Sequence, residues 1–196
     1  MAIKKIRDFL KLISEKTLTP VVFLLNKTGI TPNFITWSGF FINAAGAFFV
    51  FSGEFLTGGF IILFGSLFDL LDGTLARKMD KKTRFGGFLD SVTDRLSEGV
   101  LYLALLVYYS GINNLTGIIL CYAVMFSSFL VSYIRARAGG LRIDCSVGIF
   151  TRFERMAVII AGLLFNYVII ALWIIAVLSI ITVIQRFMLV NEQAKS

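Results

Sequence analysis

The sequence predicts an all-α integral membrane protein: six transmembrane helices preceded by an N-terminal amphipathic helix that lies in the membrane interface. Three observations predict it. The 196 residues are 57% hydrophobic with a mean hydropathy of +0.84, whereas soluble domains are about 45–50% apolar. The apolar residues come in long runs, and about 20 such residues in a helix cross a bilayer. The Lys and Arg residues gather at every second connection between the runs, the asymmetry behind the positive-inside rule.

Residues 1–30 form the first unit. Ile3, Ile6, Phe9, Leu10 and Ile13 interleave with Lys4, Lys5, Lys11 and Lys16, giving an apolar stripe and a cationic face suited to a headgroup layer. Pro20 ends or kinks this helix, and no cleavable signal sequence is expected in it. Thr31-Pro32-Asn33 opens the first span, with Pro32 in the favourable first turn. The spans run near 32–53, 56–79, 86–109, 114–138, 150–165 and 167–189. They make a membrane domain at 31–190, and 191–196 form a tail. Residues 156–184 are almost continuously apolar, and Asn166 marks a tight turn between the last two spans.

On this count Lys27, Arg77, Lys78, Lys81, Lys82, Arg84, Arg135, Arg137, Arg142, Arg152, Arg155 and Arg186 fall on one side. Five or seven spans would scatter them. That side is expected to be the cytoplasmic face of the cell membrane, with both termini inside. The net charge of +7 is first a topology signal and second an attraction to anionic lipid headgroups. Membrane lipids, and not nucleic acid, are the expected partners. The chain has no His, and its two Cys, Cys121 and Cys145, lie far apart. His-based triads and most zinc chemistry are thereby excluded, and acid–base or metal work falls to carboxylates.

Segment 69–94 carries that chemistry. Asp69, Asp72, Gly73, Ala76 and Arg77 fall at offsets 0, 3, 4, 7 and 8, on one helical face. Gly86, Asp90 and Asp94 follow at offsets 0, 4 and 8, again on one face. Two antiparallel helices joined by a short basic turn would bring these faces together and place four carboxylates in one small volume. A charge costs about 2.5–3.5 kcal/mol at the centre of an inserting helix, and clustered anions repel. Divalent cations remove both penalties. Hard oxygens suit Mg²⁺ or Mn²⁺, and two ions match four shared carboxylates. Gly73 and Gly86 let a substrate approach the backbone, and Arg77 offers a fork for phosphate oxygens. The alternative is a set of structural ion pairs with Arg77, Arg84 and Arg95, which would not call for co-facial glycines. Glu98, one turn past Asp94, is expected to pair with Arg95 or to support the site without being a ligand.

These residues resemble the signature of the CDP-alcohol phosphotransferases, D-x₂-D-G-x₂-A-R-x₈-G-x₃-D-x₃-D. Asp69, Asp72, Gly73, Ala76, Arg77, Gly86, Asp90 and Asp94 occupy every fixed position with all spacings intact. The resemblance implies transfer of a phosphatidyl-type group from a CDP-linked lipid, diacyl or archaeal diether, to an alcohol with loss of CMP. It implies a homodimer whose active site opens to the cytoplasmic leaflet. Asp69, Asp72 and Asp90 would be metal ligands, and Asp94 both ligand and general base. Gly73, Arg77 and Thr83 would hold the CDP part of the donor. Pro32-Asn33-Phe34-Ile35 also resembles a donor-binding segment of the family.

A second resemblance bears on the acceptor. Ser132-Tyr133-Ile134-Arg135-Ala136-Arg137-Ala138 and Thr151-Arg152-Phe153-Glu154-Arg155 look like two segments of phosphatidylinositol-phosphate synthases, Ser-Tyr-x-Lys-Ala-Arg-Ala and Glu-Arg-x-Glu-Arg. The departures, Arg135 for Lys and Thr151 for Glu among them, remove no positive charge. Clustered Arg suits a phosphate monoester, so Arg135, Arg152 and Arg155 are candidate ligands for a phosphorylated polyol, with inositol phosphate first and glycerol 3-phosphate second. The alternative is that these Arg only set topology. Two rival functions are weaker. A divalent-cation transporter needs polar residues through the full membrane depth, and spans one, four, five and six carry almost none at mid-span. A non-catalytic scaffold for nucleotide-lipid would be marked by a lost motif Asp, and none is lost.

Overall fold

The computed structural model describes residues 29–78 and 83–194, which contain helices and connections and no strand. Six helices follow in order: α1 (Pro32–Phe51), α2 (Phe55–Lys78), α3 (Arg84–Gly111), α4 (Leu115–Gly140), α5 (Arg152–Leu164) and α6 (Val168–Gln193). The expected amphipathic helix before Pro32 falls outside the described residues. α6 continues to Gln193, past the boundary at 190 expected for the tail.

Local chemistry explains where the helices begin. Thr31 Oγ1 accepts from Phe34 N at 3.3 Å, Thr83 Oγ1 from Gly86 N at 2.8 Å, and Asn114 Oδ1 from Gly117 N at 2.9 Å. Each satisfies an N–H that the first helical turn leaves without a partner. At one end of the bundle the connections are three residues long: 52–54, 112–114 and 165–167. Each contains a residue with positive φ: Gly53 at 83°, Asn113 at 54° and Asn166 at 58°. Asn tolerates this left-handed conformation better than most side chains, so the turn expected at Asn166 is present.

Among the described residues four helices are long and apolar enough to cross a membrane: α1, α2 as far as Ala76, α4 and α6. α3 has 28 residues, but its first half carries the charges of the Asp90/Asp94 face. The fifth lies within two residues of its expected bounds, 150–165, and is short. α5 has 13 residues, about 20 Å at 1.5 Å per residue, against a hydrocarbon core of about 30 Å. The reason lies in residues 141–151, which are not helical and are tied to α6 instead. Phe150 N donates to Thr182 Oγ1 at 3.1 Å and Ile149 N to Gln185 Oε1 at 3.2 Å. Arg186 donates from Nε to Val147 O at 2.9 Å and from Nη1 to Val131 O. Non-helical backbone at the end of an apolar bundle needs such partners.

α1 packs along both α2 and α3, α2 meets α5, α3 meets α4, and α4 and α5 both meet α6. Among the described residues α2 and α3 share no extended packing. α1 lies along both helices instead. The core fills the space among α3, α4, α5 and α6, with Leu105, Cys121, Val124, Ile159, Leu172 and Ile175 fully buried. Large apolar side chains such as Phe41, Phe48, Trp173 and Phe187 point outward, as a bilayer-facing surface requires.

The α1–α2 contact is backbone-close. A Cβ on Gly58 would lie 2.8 Å from Gly46 O and 3.1 Å from Val50 N, and one on Gly46 would lie 3.1 Å from Gly58 O. Small residues at such contacts let transmembrane helices approach. Gly58→Val is expected to destabilise the protein by about 1–3 kcal/mol through overpacking, read as a lower melting temperature in detergent. Gly111→Ala, where an added Cβ meets nothing within 4 Å, should leave that temperature unchanged or slightly raised.

Candidate active site

The charged residues collect at one end of the bundle. Asp69 comes from the second half of α2, and Asp90 and Asp94 from the first turns of α3. Gly39 of α1 makes room for the first of these: a Cβ there would lie 3.2 Å from Asp69 Oδ1. Arg152, in the first turn of α5, joins the two sides. Its Nη2 donates to Asp69 Oδ2 at 2.7 Å, and its Nη1 lies 2.6 Å from Asp94 Oδ1. The second contact is ionic without hydrogen-bond geometry. Arg95 Nη1 donates to Ser91 O at 2.8 Å and stands 3.4 Å from Asp94 Oδ2. Asp90 lies in the field of Arg152, Asp69 and Arg95. Asp72, Gly73 and Arg77 are part of α2, and their side chains fall outside what the structure describes.

Three of the four motif carboxylates therefore belong to one electrostatic cluster. Among the described residues no three acidic side chains converge on a single point. Asp69 and Asp94 nevertheless share one cation, the Arg152 guanidinium. Hard oxygens from two helices, already arranged around a positive charge, are the donor set that Mg²⁺ or Mn²⁺ takes.

Beside this cluster is a cavity of about 840 Å³, lined by Asp90, Asp94, Arg95, Arg135, Arg152, Arg155 and Arg186 among others. The three Arg proposed from sequence thus share one wall system with two of the carboxylates. They differ in reach. Arg135 is exposed and Arg152 partly buried, but Arg155 is 0% exposed. Arg155 Nε donates to Glu98 Oε1 at 2.9 Å and Nη2 to Glu98 Oε2 at 2.8 Å, a two-point pair. Of the two expectations for Glu98, a pair with Arg95 or support of the site without ligation, this replaces the first: its partner is Arg155. One edge of Arg155, Nη1, is left without a protein partner.

Some of the residues expected at the donor side also meet. Thr83 caps α3, and Asn33 Oδ1 lies 3.2 Å from where a Cβ on Gly86 would sit. Asn33, Thr83 and Gly86 therefore share one corner between α1 and α3. The rest of the Pro32–Ile35 segment does other work. Pro32 begins α1, Phe34 is 63% exposed, and Ile35 is buried against Leu75. Arg186 was read from sequence only as a topology charge. It is 2% exposed and lines the cavity. A signal existed: a lone Arg close behind a long apolar run is costly unless it has internal partners.

A family model described as CDP-alcohol phosphatidyltransferase matches residues 29–185. Archaetidylinositol phosphate synthase of Methanothermobacter thermautotrophicus is 35% identical over 178 residues, 88% of this chain and 89% of that one. The crystal structure of Mycobacterium tuberculosis phosphatidylinositol phosphate synthase with CDP-DAG bound matches with a TM-score of 0.83 at 30% identity, over 89% of this chain and 94% of that one. The structure of the same enzyme in complex with manganese and citrate matches with a TM-score of 0.80 at 31% identity, over 88% of each chain.

The Glu98–Arg155 pair yields a stability prediction. Removing one partner of a buried pair leaves the other charge uncompensated, at about 3–5 kcal/mol. Glu98→Ala should lose that much, measured by denaturation in detergent. Arg84→Ala, an exposed residue, should stay within about 0.5 kcal/mol of the wild type.

Proposed function

The chain belongs to the CDP-alcohol phosphatidyltransferase family, and from that premise we propose that it transfers the phosphatidyl-type group of a CDP-linked lipid to a hydroxyl of inositol phosphate, releasing CMP. The observation that carries the acceptor is the single cavity in which Arg135, Arg152 and Arg155 stand beside Asp90 and Asp94. A phosphate monoester held by those Arg would have its hydroxyls near Asp94. Arg forks bind phosphate oxygens at two points. The relatives named for inositol phosphate lipids, and the neighbour with CDP-DAG bound, support the same pairing of donor and acceptor.

On this reading the donor's CDP part lies with Asn33, Gly73, Arg77, Thr83 and Gly86, at the ends of α1, α2 and α3. Its acyl or ether chains stay in the bilayer beside the outward apolar faces. Asp69, Asp72, Asp90 and Asp94 would hold Mg²⁺ or Mn²⁺, two ions for four carboxylates. The manganese complex of the M. tuberculosis enzyme supports a divalent cation. Such ions, when bound, neutralise the diphosphate and stabilise charge on the leaving CMP. The chain's own contribution is positioning. Arg77 orients the diphosphate and the Arg wall fixes the acceptor. Asp94 takes the proton from the acceptor hydroxyl by proximity, since an ordinary Asp is a weak base at neutral pH. Phosphoryl-type transfer needs little more of a protein.

The six helices are read as six passes, with α5 and the 141–151 connection completing the fifth. Residues 31–190 form the catalytic membrane domain, and a homodimer is the expected assembly. The basic residues at the charged end support a cytoplasmic position for that end and for both termini.

Two measurements test the reading. Asp94→Asn should reduce CMP release at least about tenfold, or 1.4 kcal/mol of barrier, while CDP-lipid still protects the protein from proteolysis. A rate above a tenth of the wild type removes Asp94 as the base. Arg135→Ala should raise the KM for inositol 1-phosphate at least about tenfold and leave the KM for CDP-lipid unchanged. Arg135 is the better choice than Arg155, whose loss strands Glu98. Faster turnover with free inositol than with inositol 1-phosphate would overturn the acceptor and leave the family standing. Glycerol 3-phosphate, smaller but also a monoester, is the comparison acceptor.

A further inference from the structure

We propose that Arg152 and the divalent cation compete for Asp69 and Asp94, so that metal loading hands the Arg152 guanidinium to the phosphate of the acceptor. The proposal rests on the metal and acceptor readings above. Its basis is geometric. Arg152 spans from Asp69 Oδ2 at 2.7 Å to Asp94 Oδ1 at 2.6 Å. Both oxygens belong to the carboxylates that would ligate the ion. A ligating oxygen has its ion at about 2.0–2.6 Å. A guanidinium kept at hydrogen-bond distance from the same oxygens would stand almost against a double positive charge. In a partly buried site that repulsion is only weakly screened, so the two cations exclude one another.

The displaced guanidinium has few places to go. Glu98 is occupied by Arg155. Glu154 Oε2 accepts from Thr151 N at 2.8 Å and from the Thr151 hydroxyl, closing the start of α5. Asp90 belongs to the metal cluster. Arg152 opens α5 on the wall of the cavity it shares with Arg135 and Arg155, and its Nε already lacks a protein partner. An anion in that cavity is the counter-charge that remains. The acceptor's phosphate supplies it and a neutral polyol does not. By linkage, the phosphate must then tighten metal binding by the same factor that metal tightens phosphate binding.

The test is a Mn²⁺ titration of the purified full-length protein in detergent, following free Mn²⁺ by electron paramagnetic resonance. CDP-lipid is left out, and Mn²⁺ bound by the polyols alone is subtracted. In the wild type, inositol 1-phosphate should raise Mn²⁺ affinity at least threefold, and free inositol should not. Arg152→Gln should bind Mn²⁺ at least tenfold more tightly without acceptor and lose the response to inositol 1-phosphate. Arg152→Lys keeps the charge but cannot fork across two carboxylates, and should fall between. Should Arg152→Gln not fold, Arg152→Lys and the wild-type response decide. Mn²⁺ affinity at or below wild type in the folded variants overturns the competition, and a wild-type affinity indifferent to inositol 1-phosphate overturns the hand-over. CMP release by the wild type at saturating Mn²⁺ separates the two levels. No release with inositol 1-phosphate sinks the acceptor reading, whereas release without the linkage sinks this inference alone.

Discussion

Carboxylates placed at the end of an apolar helical bundle must share positive charge, and the contact of Arg152 with Asp69 and Asp94 is where this protein meets that demand. The contact ties α2, α3 and α5 at one point, although α2 and α3 are packed along α1 and not along each other. Without a cation between them, Asp69 and Asp94 would repel across a poorly screened gap. The site's geometry therefore depends on a charge balance as much as on packing. The same balance is what a bound divalent ion would have to satisfy at this cluster.

The second support is α6. Thr182, Gln185 and Arg186 hold the 141–151 connection, which in turn delivers Thr151 and Arg152 to the start of α5. α5 is short because the chain uses these residues to bring Arg152 over the carboxylates. The cavity wall is thus built from the ends of α3, α4, α5 and α6, with Arg155 and Arg186 in its lining and Glu98 holding Arg155. Helices position the backbones from which these side chains reach the cavity.

Much of the site was legible along the chain because helical periodicity converts spacing into a shared face. Asp90 and Asp94 at one-turn spacing, and Gly86 one turn earlier, needed no tertiary information. Arg135 and Arg152 were legible as a basic pair of segments flanking one connection. Glu98 was legible as an acid one turn past Asp94 that is not a ligand, but its partner was not. Arg95 is the neighbour in sequence, and Arg155, 57 residues away, is the neighbour in space. Gly39 carried no signal at all, since its role is to leave room for Phe68 and Asp69 of the neighbouring helix.

The sequence by itself determined the helical class, the order of the helices, the turn at Asn166, and the carboxylate motif with its family. Those follow from composition, period and local backbone preference, which act within a few residues. Only the tertiary structure decided that α1 lies along both α2 and α3, that α5 has 13 residues, and that one arginine bridges two motif carboxylates while another is locked to Glu98. Pairings of this kind join residues far apart in the chain. They are selected by which helix ends the packing brings together and by the need of each buried charge for a counter-charge, and neither condition is written in any single stretch of sequence.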